Sequence, residues 1–133
     1  MHKRIVAFDV GDTWIGVAHT DLLQTIVIPH DTWKHKDFDT LFTKYLMAHK
    51  IESVVVGFPK TLEGRESQQT EKVIEWVAEK RSVFQSVDFV FFDERLTSQF
   101  AKKIMRQNKS SKNSDHSVAA GIILENYLLL KNK

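Results

Sequence analysis

The chain contains no cysteine in its 133 residues. That absence excludes disulfide bonds, thiolate metal ligands and a cysteine nucleophile. Proline and glycine are also scarce, with two and five residues, and no stretch rich in them would link two domains. We therefore expect a single domain spanning residues 1–133, long enough to bury roughly two-thirds of the surface of the unfolded chain.

Long hydrophobic runs are missing as well. The longest apolar stretch, Val118 to Leu130, is interrupted by Glu125 and Asn126 and is shorter than the ~20 residues that a membrane span needs. The first residues, MHKR, lead directly into a short strand-like run and not into the apolar core of a signal peptide. These features predict a buried C-terminal helix in a cytoplasmic protein that has no membrane partner.

Neither sign of charge is in large excess, since the net charge is +2. The charge of the whole chain therefore does not indicate a nucleic-acid partner. Five basic residues nevertheless share one short region without any acid among them: Lys102, Lys103, Arg106, Lys109 and Lys112. We interpret them as the solvated face of a helix, with a nucleic-acid groove as the alternative.

Apolar, β-branched runs near the N terminus predict three antiparallel strands, at residues 4–10, 14–20 and 24–33. The dipeptide Gly11-Asp12 joins the first two and suits a tight hairpin turn with a positive φ at the glycine. Pro29 lacks a backbone N–H, so it predicts a break or an edge position for the third strand.

The rest of the chain alternates helical and strand-like periodicity. The pattern predicts a helix over 35–50, a buried parallel strand at 53–59, a helix over 66–81, a strand at 87–95, a helix capped by Thr97, and a last helix capped by Ser114 or Asp115. The predicted architecture is an α/β fold with a mixed five-stranded sheet, in which a three-strand antiparallel meander and two parallel strands are flanked by helices.

Two carboxylates stand at the ends of predicted strands, Asp9 after the first and Glu94 after the last. Open α/β sheets bind ligands beyond the carboxyl edge, where both residues would lie. Two carboxylates side by side repel each other, and a divalent metal is the simplest compensation. The alternatives are that Asp9 is a turn residue and that Asp93, Glu94 and Arg95 form a surface ion pair.

Four segments in this order resemble the sequence blocks of one bacterial family. They are FDVGDTWIGVA, VVVGFP with the following EG, DERLTS, and AAGIILENYL. They resemble the YqgF family, also called RuvX, which is described as Holliday junction resolvase-like. The resemblance implies an RNase H-like fold and metal-dependent hydrolysis of phosphodiester bonds. It also implies maturation of the 5′ end of 16S rRNA, with resolution of DNA junctions as the alternative.

The resemblance assigns the catalytic and metal-binding roles to Asp9 and Glu94. At the third acidic position, three residues before the Ala119-Ala120 pair, this chain has His116, and Asp115 lies one residue earlier. Both residues stay candidates for the third ligand. The cofactor implied is Mg²⁺ or Mn²⁺, with Mn²⁺ favoured if the imidazole is the ligand.

The substrate implied is nucleic acid, and its phosphates call for cations and for close backbone approach. The candidates for substrate binding are Arg95, Lys60, Arg65, Gly11 and Gly57, with Gly64 in the same loop. Thr13 and Trp14 stand where the family commonly has a Lys-Arg pair, so two phosphate contacts are missing.

Two other functions remain open at this point. DVGDT also resembles the phosphate-binding hairpin of actin-like and sugar-kinase ATPases, which clamp nucleotide between two domains. The departures at Thr13, Trp14 and His116 are also compatible with a degenerate copy that binds RNA or a protein without cutting.

The sequence does not distinguish an RNA substrate from a DNA substrate, or a monomer from a dimer. It gives His19, His30, His35 and His49 no ligand spacing, and it predicts Trp14, Trp33 and Trp76 to be core or edge aromatics.

Overall fold

The computed structural model describes residues 2–58, 68–94 and 114–132, without the side chains of Phe58, Ser114 and Asp115. Five strands form one mixed sheet in the order β3-β2-β1-β4-β5. Their bounds are β1 (Arg4–Val10), β2 (Trp14–Thr20), β3 (Val27–Lys34), β4 (Ile51–Phe58) and β5 (Phe89–Asp93). The first three strands are antiparallel, and β4 and β5 run parallel to β1, as the sequence predicts.

Three α-helices are described: α1 (Phe38–Ala48), which follows a 3-10 turn at His35–Asp37, α2 (Gln68–Val83) and α3 (Ser114–Lys131). The helix predicted over 35–50 is therefore confirmed within two to three residues at each end. The helix predicted over 66–81 is confirmed from Gln68 onward and ends two residues later, at Val83, while residues 66 and 67 lie outside the described residues. The helix predicted from Thr97, with its basic residues, lies outside the described residues. Within the described part of the chain, no helix is both long and apolar enough to cross a membrane.

The two faces of the sheet carry different residues, because side chains alternate along a strand. Phe8 of β1 lies on the face covered by α1 and α2, where it packs edge-on against Phe38 and Phe42 with ring centroids 5.1 and 5.3 Å apart. Trp33 and Trp76 belong to the same cluster, so both are core aromatics as predicted. Ile5 and Ala7 lie on the opposite face under α3. Asp9 is the next residue of that row.

The turn between β1 and β2 corrects one expectation. The φ of Gly11 lies outside the left-handed region that a tight Gly-Asp hairpin turn requires. The glycine is needed for a different reason: a Cβ at this position would lie 2.9 Å from the carbonyl oxygen of Trp14. That oxygen accepts a 2.9 Å hydrogen bond from the backbone N–H of Gly11, which closes the hairpin.

β3 is an edge strand, as Pro29 predicts, but it starts at Val27 and not at residue 24. The pairing with β2 shifts where Val17 lies opposite Asp31 and Ala18 opposite Pro29, so His30 is the extra residue of a bulge. Residues before Val27 form a loop, in which Asp21 accepts backbone hydrogen bonds from Thr25 and Ile26. The proline and the bulge leave this edge irregular, which disfavours pairing with another strand.

Candidate active site

Asp9 lies near the carboxyl end of β1, with only 7% of its surface exposed. It is paired with Gly16 across the β1–β2 hairpin. The parallel register, in which Phe8 lies beside Val56, places Gly57 of β4 on its other side. The carboxylate therefore has a glycine on each neighbouring strand, and other parts of the chain take the space that two side chains would fill.

The space above Gly16 is filled by the start of α3. A Cβ at this position would overlap the backbone carbonyl of His116. The glycine thus lets the first turn of α3 rest directly on β2, beside Asp9. A glycine inside a strand often marks such a close approach, and this was the signal in the sequence that could have located the contact.

The space above Gly57 is filled by Glu94 and by α3. A Cβ here would lie 3.0 Å from Oε2 of Glu94 and 2.6 Å from Cδ1 of Ile123. Gly57 was predicted to let a loop approach the substrate backbone. In the structure it lies inside β4, and the atoms it makes room for belong to the protein itself.

A cavity of about 260 Å³ opens at this edge of the sheet. Its lining brings together Asp9 of β1, Glu94 directly after β5, and His116 in the first turn of α3. Gly11 and Gly57 also line it. Residues that are up to 107 positions apart in sequence thus share one site, at the edge where the sequence analysis expects it.

The N-terminal ends of two helices border the same cavity. Gln69 is in the first turn of α2 and His116 is in the first turn of α3, and both line the cavity. Helix N-termini carry unpaired backbone N–H groups and a partial positive charge, so they favour a bound anion. Partial positive charge therefore lies beside the two carboxylates.

Side chains that the sequence analysis did not single out hold the hairpin next to Asp9. Gln69 donates from Nε2 to the carbonyl oxygen of Val10 at 3.3 Å. His35 donates from Nδ1 to the carbonyl oxygen of Gly11 at 2.8 Å. The Gln69 bond joins residues 59 positions apart, and no local pattern in the sequence signals it.

The donor types around the cavity suit a divalent cation, since carboxylate oxygens bind Mg²⁺ and Mn²⁺ and an imidazole suits Mn²⁺ better than Mg²⁺. Within residues 2–58, 68–94 and 114–132, however, no three His, Asp or Glu side chains are grouped closely enough to hold one ion. The donor types fit a metal, and the described side chains do not by themselves form a set of three ligands.

The remaining predicted site residues are not placed. Arg95, Lys60 and Arg65 lie outside the described residues, as does Gly64, and the side chain of Asp115 is not described. Thr13 is exposed, and Trp14 is half-buried with the Lys34 ammonium 5.9 Å from its ring centroid.

Comparisons with known proteins identify the family. Residues 3–129 match the family described as RuvX, Holliday junction resolvase. A "Putative pre-16S rRNA nuclease" of Fusobacterium nucleatum is 33% identical over 136 residues, which cover 97% of this chain and 99% of that protein. A protein of the same description from Caldanaerobacter subterraneus is 37% identical over 94% of this chain and 95% of its own length.

A solved structure shows the fold. Thermus thermophilus RuvC, described in complex with a Holliday junction substrate, matches with a TM-score of 0.61 at 11% identity, over 97% of this chain and 96% of that one. This likeness confirms the RNase H-like fold. With the match over residues 3–129 and relatives at 33 and 37% identity over nearly the full length, the chain belongs to the RuvX family.

Proposed function

We propose that this protein is a divalent-metal-dependent nuclease that hydrolyses phosphodiester bonds in the precursor of 16S rRNA, in the cytoplasm. The observation that carries the proposal is the meeting of Asp9, Glu94 and His116 at one cavity on the carboxyl edge of the sheet. The relatives described as pre-16S rRNA nucleases support the choice of substrate.

In this proposal Asp9 and Glu94 hold the metal, and His116 or Asp115 completes its ligands. A divalent ion bound there supplies an activated water and neutralises charge on the phosphate that is cut. Asp9 is suited to a rigid role because it is buried in the sheet and flanked by Gly16 and Gly57. Glu94 and the first turn of α3 border the same cavity, so they are the proposed sources of its remaining ligands.

The protein's other task is to bind and orient the phosphate. The N-termini of α2 and α3 point positive charge toward the cavity, and Arg95, Lys60 and Arg65 are the proposed contacts to neighbouring phosphates. Because each neutralised phosphate releases counterions, binding should weaken as salt concentration rises.

The test is cleavage by wild type and by Asp9→Asn of labelled precursor rRNA, single-stranded RNA, single-stranded DNA and four-way DNA junctions, with Mg²⁺ and with Mn²⁺. We expect wild type to cut the precursor rRNA and Asp9→Asn to lose activity by a factor of about 10³ or more, since the anchoring ligand is gone. Asp88→Asn, which makes the same charge change at an exposed residue before β5, is the matched control and should cut like wild type.

Other outcomes have definite meanings. Full activity in Asp9→Asn contradicts the assigned site. Cleavage of junctions but not of RNA would make the chain a resolvase, as its family's description states. Binding of RNA without cleavage under any metal would identify a degenerate copy.

A further inference from the structure

We propose that the chain binds an unpaired guanine base in a second cavity beside the cleavage site. The inference rests on the proposed function in one respect only, which is that the ligand is a nucleic-acid strand whose phosphate occupies the first cavity. It adds the recognition of one nucleotide.

The second cavity has a volume of about 290 Å³. It shares Val10, Gly11, Asp12, Gln69 and Val73 with the cavity that contains Asp9, so the two adjoin. Its further lining consists of His35, Lys72, Glu75, Trp76 and Glu79. Its volume is just below the roughly 300–1,000 Å³ found for small-molecule sites, which suits a single base better than a larger ligand.

Aromatic rings form part of the wall. His35 is half-buried, and its ring centroid lies 6.3 Å from that of Trp76, which is a core residue with 7% of its surface exposed. Proteins that bind unpaired bases commonly hold them against such rings, because every base has an apolar face that stacks. The hydrogen bond from His35 to the carbonyl of Gly11 fixes the imidazole against the hairpin that adjoins Asp9.

The two carboxylates of the second cavity, on Glu75 and Glu79, disfavour a phosphate and favour a ligand that donates hydrogen bonds. Glu75 and Glu79 are exposed on α2, one helical turn apart. One oxygen of Glu79 is bonded to Lys80 at 2.9 Å. Glu75 has no hydrogen bond or ion pair within the described part of the chain, so its carboxylate is available to a ligand.

A cation stands next to these acids. Lys72 forms an ion pair with Asp12 at 3.5 Å, in which the two side chains are 59% and 70% exposed. Ion pairs this exposed contribute little to stability, so a ligand can replace Asp12 at low cost. The cavity therefore offers both a carboxylate acceptor and an ammonium donor.

Guanine is the base that matches this pair. Its Watson–Crick edge presents two adjacent N–H donors, which one carboxylate can accept together, followed by an oxygen acceptor for Lys72. Uracil presents a single N–H between two oxygens, which a carboxylate repels. Because that edge is engaged in a duplex, the base must be unpaired, and the substrate at this position is single-stranded.

The experiment measures binding and not cleavage. Fluorescence anisotropy with short single-stranded RNAs that carry one guanine at a varied position in a uracil run gives Kd values for wild type without added metal. We expect a guanine at the favoured position to tighten binding about tenfold over uracil, the order of one good base contact. Inosine, which lacks the exocyclic amino group, should lose most of that gain.

Glu75→Ala should abolish the guanine preference, and Glu71→Ala is the matched control, because it removes the same charge from the same helix outside the cavity. The quantity compared is the ratio of Kd values for uracil and guanine, since removing any acid tightens binding to all RNAs. No preference in wild type, or a preference that survives in Glu75→Ala, overturns the inference. Both results are independent of the cleavage test with Asp9→Asn, so each proposal can fail alone.

Discussion

Three histidines and a tyrosine that the sequence left unconnected form a cluster at the amino end of β1, away from Asp9. Nδ1 of His19 lies 2.6 Å from the Tyr45 hydroxyl, in a buried hydrogen bond. The ring centroids of His19 and His30 are 4.5 Å apart, and those of Tyr45 and His49 are 4.3 Å apart. We refer to His19, His30, His49 and Tyr45 as the histidine cluster.

The environment of the cluster lowers the pKa of each of its imidazoles. Burial lowers the pKa of His19 to about 4, with smaller contributions from the charges of His30, Arg4 and His49. Burial likewise lowers the pKa of His30, where Arg4 acts in the same direction and Asp31 opposes it. The pKa of His49 is lowered too, again first by burial.

Acid should therefore destabilise the protein through this cluster. A histidine whose folded pKa is lowered contributes stability that is present above the unfolded value of 6.5 and is lost as pH falls toward about 4. His19 alone should remove about 2 kcal/mol of unfolding free energy between pH 7.5 and pH 5, and His30 and His49 add to the loss. Urea unfolding midpoints measured at half-unit steps over this range check it.

The control for that pH dependence is His19→Gln, which keeps a hydrogen-bonding partner for Tyr45 and removes the titrating group. Its unfolding free energy should change less steeply between pH 7.5 and pH 5, whatever its absolute stability. A variant with the full wild-type slope would show that other groups govern the acid response.

At the scale of elements, the contact that assembles the site is the docking of α3 on β2. It depends on Gly16, above which the backbone of His116 lies. Helix backbone can approach a strand this closely only where the strand has no Cβ. The position of His116 next to Asp9 therefore follows from a glycine on the neighbouring strand.

Gly16→Ala should lower the unfolding free energy by roughly 1–3 kcal/mol or more, because α3 must shift away from the sheet. Gly121→Ala, within α3, is the matched control: its new Cβ would meet Val27 at 3.7 Å and Pro29 at 3.8 Å, which are ordinary contacts. That variant should be neutral or stabilised by about 0.5–1 kcal/mol, since alanine favours a helix. Equal destabilisation of both variants in urea unfolding would contradict the role given to Gly16.

The periodicity of apolar residues predicted the helices and strands well, because the residues that each of them buries recur at a fixed local spacing. Both bounds of β1 and β2 are those expected, and α1 buries Phe38, Phe42 and Tyr45 as its spacing indicates. The edge position of β3 followed from Pro29, whose missing N–H is a local property. The start of β3 was missed because hydrogen bonds from the loop to Asp21, and not β-propensity, decide where pairing begins.

The site itself was predictable only in part. Asp9 and Glu94 could be placed together because parallel strands share a carboxyl edge. The contact of Gln69 with β1 and the gathering of His19, His30 and His49 depend on tertiary packing between distant segments. Such contacts have no period in the sequence, so spacing rules cannot find them.

For the whole molecule, the two ends of the sheet differ in how added positive charge affects their stability. The histidine cluster at one end is stable while neutral, whereas the cavity at the other end gathers carboxylates that a cation would stabilise. An ion that binds only the folded chain stabilises all of it, by about 2.7 kcal/mol when its concentration is 100 times Kd. Thermal unfolding of the intact protein therefore reports on the proposed metal site without any substrate.

We expect Mn²⁺, and Mg²⁺ at higher concentration, to raise the Tm of wild type by several degrees, and ATP alone to leave it unchanged. Asp9→Asn should lose the rise in Tm, while in metal-free buffer it should match wild type or be slightly more stable, because one carboxylate repulsion is gone.

His116→Ala should lose most of the rise in Tm with Mn²⁺ if the imidazole is the third ligand, and His116→Asp should then shift the metal preference toward Mg²⁺. If Asp115→Asn loses the effect and His116→Ala keeps it, Asp115 is the ligand; a rise that survives in Asp9→Asn would show that the ion binds elsewhere.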